Sequence, residues 1–328
     1  MTRKSLWFLF LLLCGCQTAW IASNAGGVVS RMAGSKTPEE LLSSPGLPER
    51  WRSALVELPS LLQFARDSGL SVGGAYQRID IEENPVSYIV VAANREDLAL
   101  FHWDFPVVGS APYKGFRFIQ HAELERKRLE RMGLEVEIYP VSAFSSLGWF
   151  SETLPGGVLS LPESQRVRTI FHELVHRTVF VSGRADLNES LANYFGNELS
   201  RKWFLLKGGE ESSALLVIER EIHDEELLRS HLLELQKNWT SETLKADLES
   251  FSGVLQQESW MSQMGQQNSV RNWTLPTILM WQVYDAGAWP WPELWQSCDQ
   301  DFQVLKWRIR QDFSGTPLKL GPLLGCQF

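Results

Sequence analysis

The chain has 328 residues, of which 44% are hydrophobic and 21% charged, and a formal net charge of −8. Enough apolar material is present to bury a core, which excludes a disordered chain. The acidic balance, with a sequence pI near 5.4, argues against nucleic acid as a partner, because backbone phosphates attract basic surfaces.

At the N-terminus, Arg3 and Lys4 precede an apolar run at 6–13 that is much shorter than the roughly 20 residues a membrane-spanning helix needs. This pattern predicts an export signal. Leu13-Cys14-Gly15-Cys16 looks like a bacterial lipobox, with cleavage after Gly15 and lipidation of Cys16. Acyl chains bury methylenes at about 0.8 kcal/mol each, so the expected partner of this end is a membrane. An uncleaved anchor or a plain secretory signal is the alternative. Gln17, rather than an aspartate, follows the lipidated position and points to the periplasmic face of the outer membrane if the source is Gram-negative. The expected organisation is a signal at 1–15, a lipidated tether at 16–45 and one folded unit at 46–328. Cys298 and Cys326 lie beyond the signal, and one disulfide or two free thiols both fit them.

Along the folded unit, Trp51, Leu55, Leu58, Leu62 and Ala65 recur at helical spacing and predict a helix at 48–68. Strands are predicted at 76–81 and 86–92, then an ordered loop rich in aromatics, Gly and Pro at 102–116. A helix at 119–132 ends at Gly133 and leads into the alternating, half-buried strand 134–139. A short strand at 157–161 follows, and Pro162 and Glu163 open a long helix at 163–182. Beyond residue 184 strand signals almost vanish, and helices are predicted at 186–207, 210–236, 241–264 and 275–286. The whole reads as α+β: a mixed core with a small sheet, then a predominantly helical half.

The chemistry is concentrated in Phe171-His172-Glu173-Leu174-Val175-His176. Spacing of i and i+4 puts both imidazoles on one helix face, a turn apart, where they can reach a common ion. Val167, Ile170, Phe171, Leu174 and Val175 fill the opposite side and bury the helix. Catalytic zinc takes three protein ligands and keeps one position open, so a third ligand is needed. Gly183 ends the helix and Asp186-Leu187-Asn188-Glu189 begins the next, which folds back and makes Glu189 the candidate. Asp186-x-x-Glu189 is also a helix capping box, an alternative that would take Glu189 away from the ion. Asn193, one turn further on, is a candidate outer partner orienting a ligand. Glu173, beside the ion without binding it, is the candidate base for a water made acidic by the single zinc expected per chain.

These residues resemble a group of bacterial lipoproteins described as zinc-dependent aminopeptidases. The likeness spans the lipobox cysteine, Trp103-Asp104-Phe105-Pro106-Val107-Val108-Gly109, Tyr113-Lys114-Gly115-Phe116 and Ser145-Ser146-Leu147-Gly148-Trp149-Phe150. It continues through the metal motif and Asn188-Glu189-Ser190, with a weaker match at Arg271-Asn272. The resemblance implies a zincin-like metallopeptidase core of the glutamate-ligand class, with His172, His176 and Glu189 on zinc, Glu173 catalytic and a peptide or protein as substrate. In that architecture an extended substrate lies against an edge strand before the metal helix, the place held by Gly156-Gly157-Val158-Leu159-Ser160. The G-x-M-E-N segment with which well-studied aminopeptidases grip a free α-amine does not occur in this chain. An alternative of another class is an envelope lipoprotein that keeps the fold as a binding or scaffold module.

The remaining histidines, His102, His121, His223 and His231, read as solvated or packing residues. Tyr194 reads as core packing, with hydrogen bonding to a transition state as the other possibility. The run 215–235 reads as a packed helical arm, because its apolar spacing drifts from a strict heptad.

Overall fold

The structure, a computed structural model, describes residues 31–313 apart from 83–84, 106–108 and 142–152. The export signal, Cys16 and the stretch 145–150 lie outside the described residues. The protein is α+β. Its first part holds helices α1 (Pro38–Leu42) and α2 (Glu49–Asp67), then strands β1 (Ile79–Asp80), β2 (Ser87–Asn94), β3 (Ala99–Leu100), β4 (Trp103–Phe105), β5 (Gly109–Ala111) and β6 (Tyr113–Phe116). Helix α3 (Ile119–Glu130), β7 (Glu135–Val141), β8 (Leu154–Pro155) and the short α4 (Gly156–Leu159) complete it. The second part is helical: α5 (Glu163–Thr178), α6 (Ala185–Gly208), α7 (Ser213–Gln236), α8 (Leu244–Gln257), α9 (Gln263–Ser269), α10 (Leu275–Tyr284), a 3-10 turn (Ala286–Ala288), α11 (Trp291–Ser297) and α12 (Phe302–Phe313). Among the described residues, no helix is long and apolar enough to cross a membrane.

β2 is the middle of the main sheet, antiparallel to β6 on one side and β7 on the other, because Tyr88 pairs with both Phe116 and Pro140. Alternation then assigns the two faces. Tyr88, Val90, Ala92, Phe116, Val136 and Ile138 pack on Ala122 and Leu129 of α3. Ile89, Val91, Tyr113 and Tyr139 face the other way and pack with Met280, Val283 and Tyr284 of α10. This second face is the one that meets the metal motif. The largest core lies beyond it, where Phe171, Leu174 and Val175 of α5 pack with Leu187, Leu191 and Phe195 of α6 and with α2, α11 and α12.

Several expectations are corrected. The stretch 157–161 is not a strand: Gly156–Leu159 is a helical turn, with Pro155 extended at its N-cap. Val158 and Leu159 are buried there, and a Cβ on Gly156 would stand 2.6 Å from the Trp51 ring, so the tryptophan dictates the local path. The strand pairing is confined to the two preceding residues, parallel to β1. The segment Gly156–Ser160 therefore offers no edge for a substrate strand. Within 102–116, expected as a loop, Trp103–Phe105 and Gly109–Ala111 pair as antiparallel strands β4 and β5, and β6 follows. The helix expected at 241–264 breaks in two, because the buried Asp224 carboxylate accepts from the Met261 and Ser262 backbone N–H groups and from the Ser262 hydroxyl. Ahead of α2, Leu41 is buried and Arg31 pairs with buried Asp80. Cys298 is disulfide-bonded.

Candidate metal centre

Helix α5 buries Val167, Ile170, Phe171, Leu174 and Val175 and turns His172 and His176 to its other side. Their rings meet edge to face, with centroids 4.7 Å apart. Val179 is extended and ends the helix, and Gly183, at φ +73°, supplies the left-handed residue that reverses the chain. Asn188 clamps this reversal: its side chain accepts from Val181 N–H at 2.9 Å and donates to Val181 C=O at 2.8 Å. Helix α6 consequently returns along α5 with Glu189 opposite the two histidines.

The capping box is not formed. Arg184 is the N-cap without a side-chain cap, and Asp186 accepts from its guanidinium at 3.0 and 2.8 Å. Glu189 Oε2 instead lies 3.3 Å from Nε2 of both histidines, which are themselves 3.1 Å apart. Three donor atoms thus form a nearly equilateral triangle. The spacing would suit a shared ion: zinc bonds of about 2.0–2.1 Å in tetrahedral array separate neighbouring ligand atoms by about 3.3–3.4 Å. Among the described residues these three side chains form a group able to hold a metal ion. His176 Nδ1 is buried without a hydrogen-bond partner among the described residues, so Nε2 is the nitrogen through which this ring is held.

Two tyrosines that the motif does not contain close the site. Tyr113 Oη, at the start of β6, donates to Glu189 Oε1 at 3.0 Å. Tyr284, at the end of α10, lays its ring nearly parallel to His172, 15° between planes and 6.4 Å between centroids. Helix α6 holds the end of α10 through the same short motif that carries Glu189. Asn193 Nδ2 donates to Tyr284 C=O, and Ser190 Oγ donates to Asp285 C=O at 2.6 Å while accepting from Trp291 Nε1 at 2.9 Å. Asn193 therefore reaches the imidazoles only through Tyr284. Tyr194 lies elsewhere, edge-on to Phe195 at 4.9 Å, its phenol pushed up to about 12 by burial and by the charges of Glu198 and Glu293.

Burial alone would raise the Glu189 carboxyl, but the charge of His176 and hydrogen bonds from both histidines outweigh it and hold the group well below the usual carboxylate range. The Glu189 charge raises the Tyr113 phenol well above its ordinary value, with burial, their hydrogen bond and Glu173 adding to the effect. Burial raises Tyr284 in the same direction, with help from Glu189, Tyr113 and Glu173. Both phenols are thus kept protonated. Glu173 itself is half-buried, and its charge adds to the rise of both phenols. Strand alternation alone could have turned Tyr113 toward α10; no local signal could have brought Tyr284 to His172.

Fold and site together define an α+β protein with two histidines from one helix and a glutamate from the next arranged around one point. The chain belongs to the family described as "Aminopep: Putative aminopeptidase", whose family model matches residues 19–309. No curated protein and no solved structure matches the chain.

Proposed function

We propose that the protein is a zinc-dependent peptidase in which His172, His176 and Glu189 hold the ion and Glu173 moves the protons. The triangle of donor atoms with edges of 3.1–3.3 Å carries this reading. Bound zinc would supply Lewis acidity, polarising a scissile carbonyl and making water acidic enough to attack near neutral pH. Glu173 accepts the proton of the attacking water and passes it to the leaving amine, so one carboxylate serves as base and then as acid. Glu189 stays ionised and neutralises part of the ion's charge. The protonated Tyr113 and Tyr284 keep the surroundings free of further negative charge. Two ligands on one helix and a glutamate on the antiparallel helix fit a zincin-like core of the glutamate-ligand class.

The family name supports a peptide substrate and cleavage at an amino end. Anchoring through a lipid on Cys16, and residence at the envelope, rest on the N-terminal sequence alone. Metal analysis of the full-length chain, followed by a peptide-library cleavage assay, tests the reading. One zinc per chain is expected, with cleavage falling about 10²–10⁴-fold in Glu173→Gln while the zinc is retained. Stoichiometric zinc with cleavage indifferent to Glu173 would favour a binding or scaffold module. A protein that takes up no zinc removes the metal site and the peptidase together.

A further inference from the structure

We propose that Tyr113 is a positioning residue for Glu189: its phenol occupies Oε1, leaves Oε2 alone to face the two imidazoles, and so lets the sheet set the coordination of the metal centre. The inference rests on the triad holding an ion, as proposed above.

A glutamate side chain can present either oxygen or both to an ion, and its three torsions leave that choice open. In this protein the choice is made by a residue 76 positions away in sequence. Tyr113 pairs with Val91 of β2, so its backbone is fixed by sheet register and its ring stands on the face that packs against α10. From there Oη donates to Oε1 at 3.0 Å, while Oε2 sits 3.3 Å from each Nε2. The chain leading into Tyr113 touches the same pair of ligand helices a second time. A Cβ on Gly109 would lie 2.8 Å from the backbone nitrogen of Gly183, in the reversal between α5 and α6. The segment 109–113 therefore braces both the turn that aims Glu189 and the oxygen of Glu189 that is to stay off the ion. Outer partners of this kind typically contribute 10–100-fold to metal affinity.

Zinc affinity of the full-length chain, measured by competition with a chromophoric chelator, is expected to fall about 10–100-fold in Tyr113→Phe. Tyr139→Phe is the control, because that phenol lies on the same sheet face but bonds to Thr277, and it keeps the wild-type affinity. In a Glu189→Ala background Tyr113→Phe adds no further loss, since the phenol has nothing left to hold, whereas a packing role would cost the same factor in both backgrounds. With cobalt(II) in place of zinc, the visible bands of Tyr113→Phe weaken per bound ion as Oε1 becomes free to coordinate. Equal zinc affinity and superimposable cobalt spectra in wild type and Tyr113→Phe overturn the assignment. Wild-type protein that binds neither metal overturns the reading beneath it.

Discussion

Two buried glutamates on neighbouring helices behave in opposite ways. Glu189 on α6 and Glu221 on α7 are 6% and 4% exposed, so desolvation bears on both. Glu189 is nonetheless held well below the usual carboxylate range, because His176 and His172 converge on it. Glu221 is raised by burial: Arg168 and hydrogen bonds from Gln165 and, at 3.4 Å, Ser164 oppose the rise, but the Arg168 guanidinium is committed to Glu225 at 2.6 Å, and the Glu225 charge adds to it. Burial alone thus does not decide which way a carboxylate shifts; the positive groups and donors left over for it do. Helix α5 carries both outcomes, with Arg168 one turn before His172.

The comparison breaks most visibly at Glu189→Gln. That change keeps the shape and removes the charge, so zinc affinity should fall by more than the 10–100-fold expected from losing an outer partner. Equilibrium dialysis against zinc reads the loss, and cleavage of any peptide substrate found should disappear with it. A variant that bound zinc as tightly as wild type would mean that Glu189 is a satisfied buried acid like any other.

A smaller effect tests whether Glu189 is aimed from outside its helix pair. Gly109 adopts φ +77°, and a Cβ there would stand 2.8 and 2.9 Å from the Gly183 backbone. Gly109→Ala therefore combines left-handed strain with overpacking against atoms that cannot swing aside, together about 3 kcal/mol. Urea unfolding should show that loss, and the metal affinity of the folded fraction should drop as the β4–β5 pair shifts Tyr113. Unchanged stability would show that the β4–β5 pair is free to move off the turn.

The helices that carry the triad were legible in the sequence because everything that defines them is local. His172 and His176 need only the i, i+4 spacing, and Gly183 announces the reversal. The choice for Glu189 between capping and facing the histidines was not local, since it turned on Arg184 taking Asp186. Tyr113 and Tyr284 were invisible as site residues because strand register and helix docking bring them in from elsewhere in the chain. Asn193 belongs to the motif, yet its target is the carbonyl of Tyr284, 91 residues on. The turn at Gly156–Leu159 is not legible in the sequence, because a short apolar run fits strand or helix until Trp51 is known to lie against it.

The smallest effect belongs to Glu221. A carboxyl whose folded pKa is raised binds its proton more tightly in the native than in the unfolded chain, so its contribution to stability is fully present below the ordinary carboxylate value. As pH rises through the folded value that contribution is lost. Glu221→Gln fixes the neutral state, and Arg168 keeps Glu225 as its partner. At pH 8 the variant should melt about 1–3 °C above wild type, the shift expected in a chain of this size for a gain below about 1 kcal/mol. The advantage should shrink to nothing as pH falls toward 4.5, the unperturbed value for this acid. If the variant melts lower than wild type at pH 8, Arg168 holds the Glu221 charge as firmly as the histidines hold that of Glu189, and the two carboxylates are alike after all.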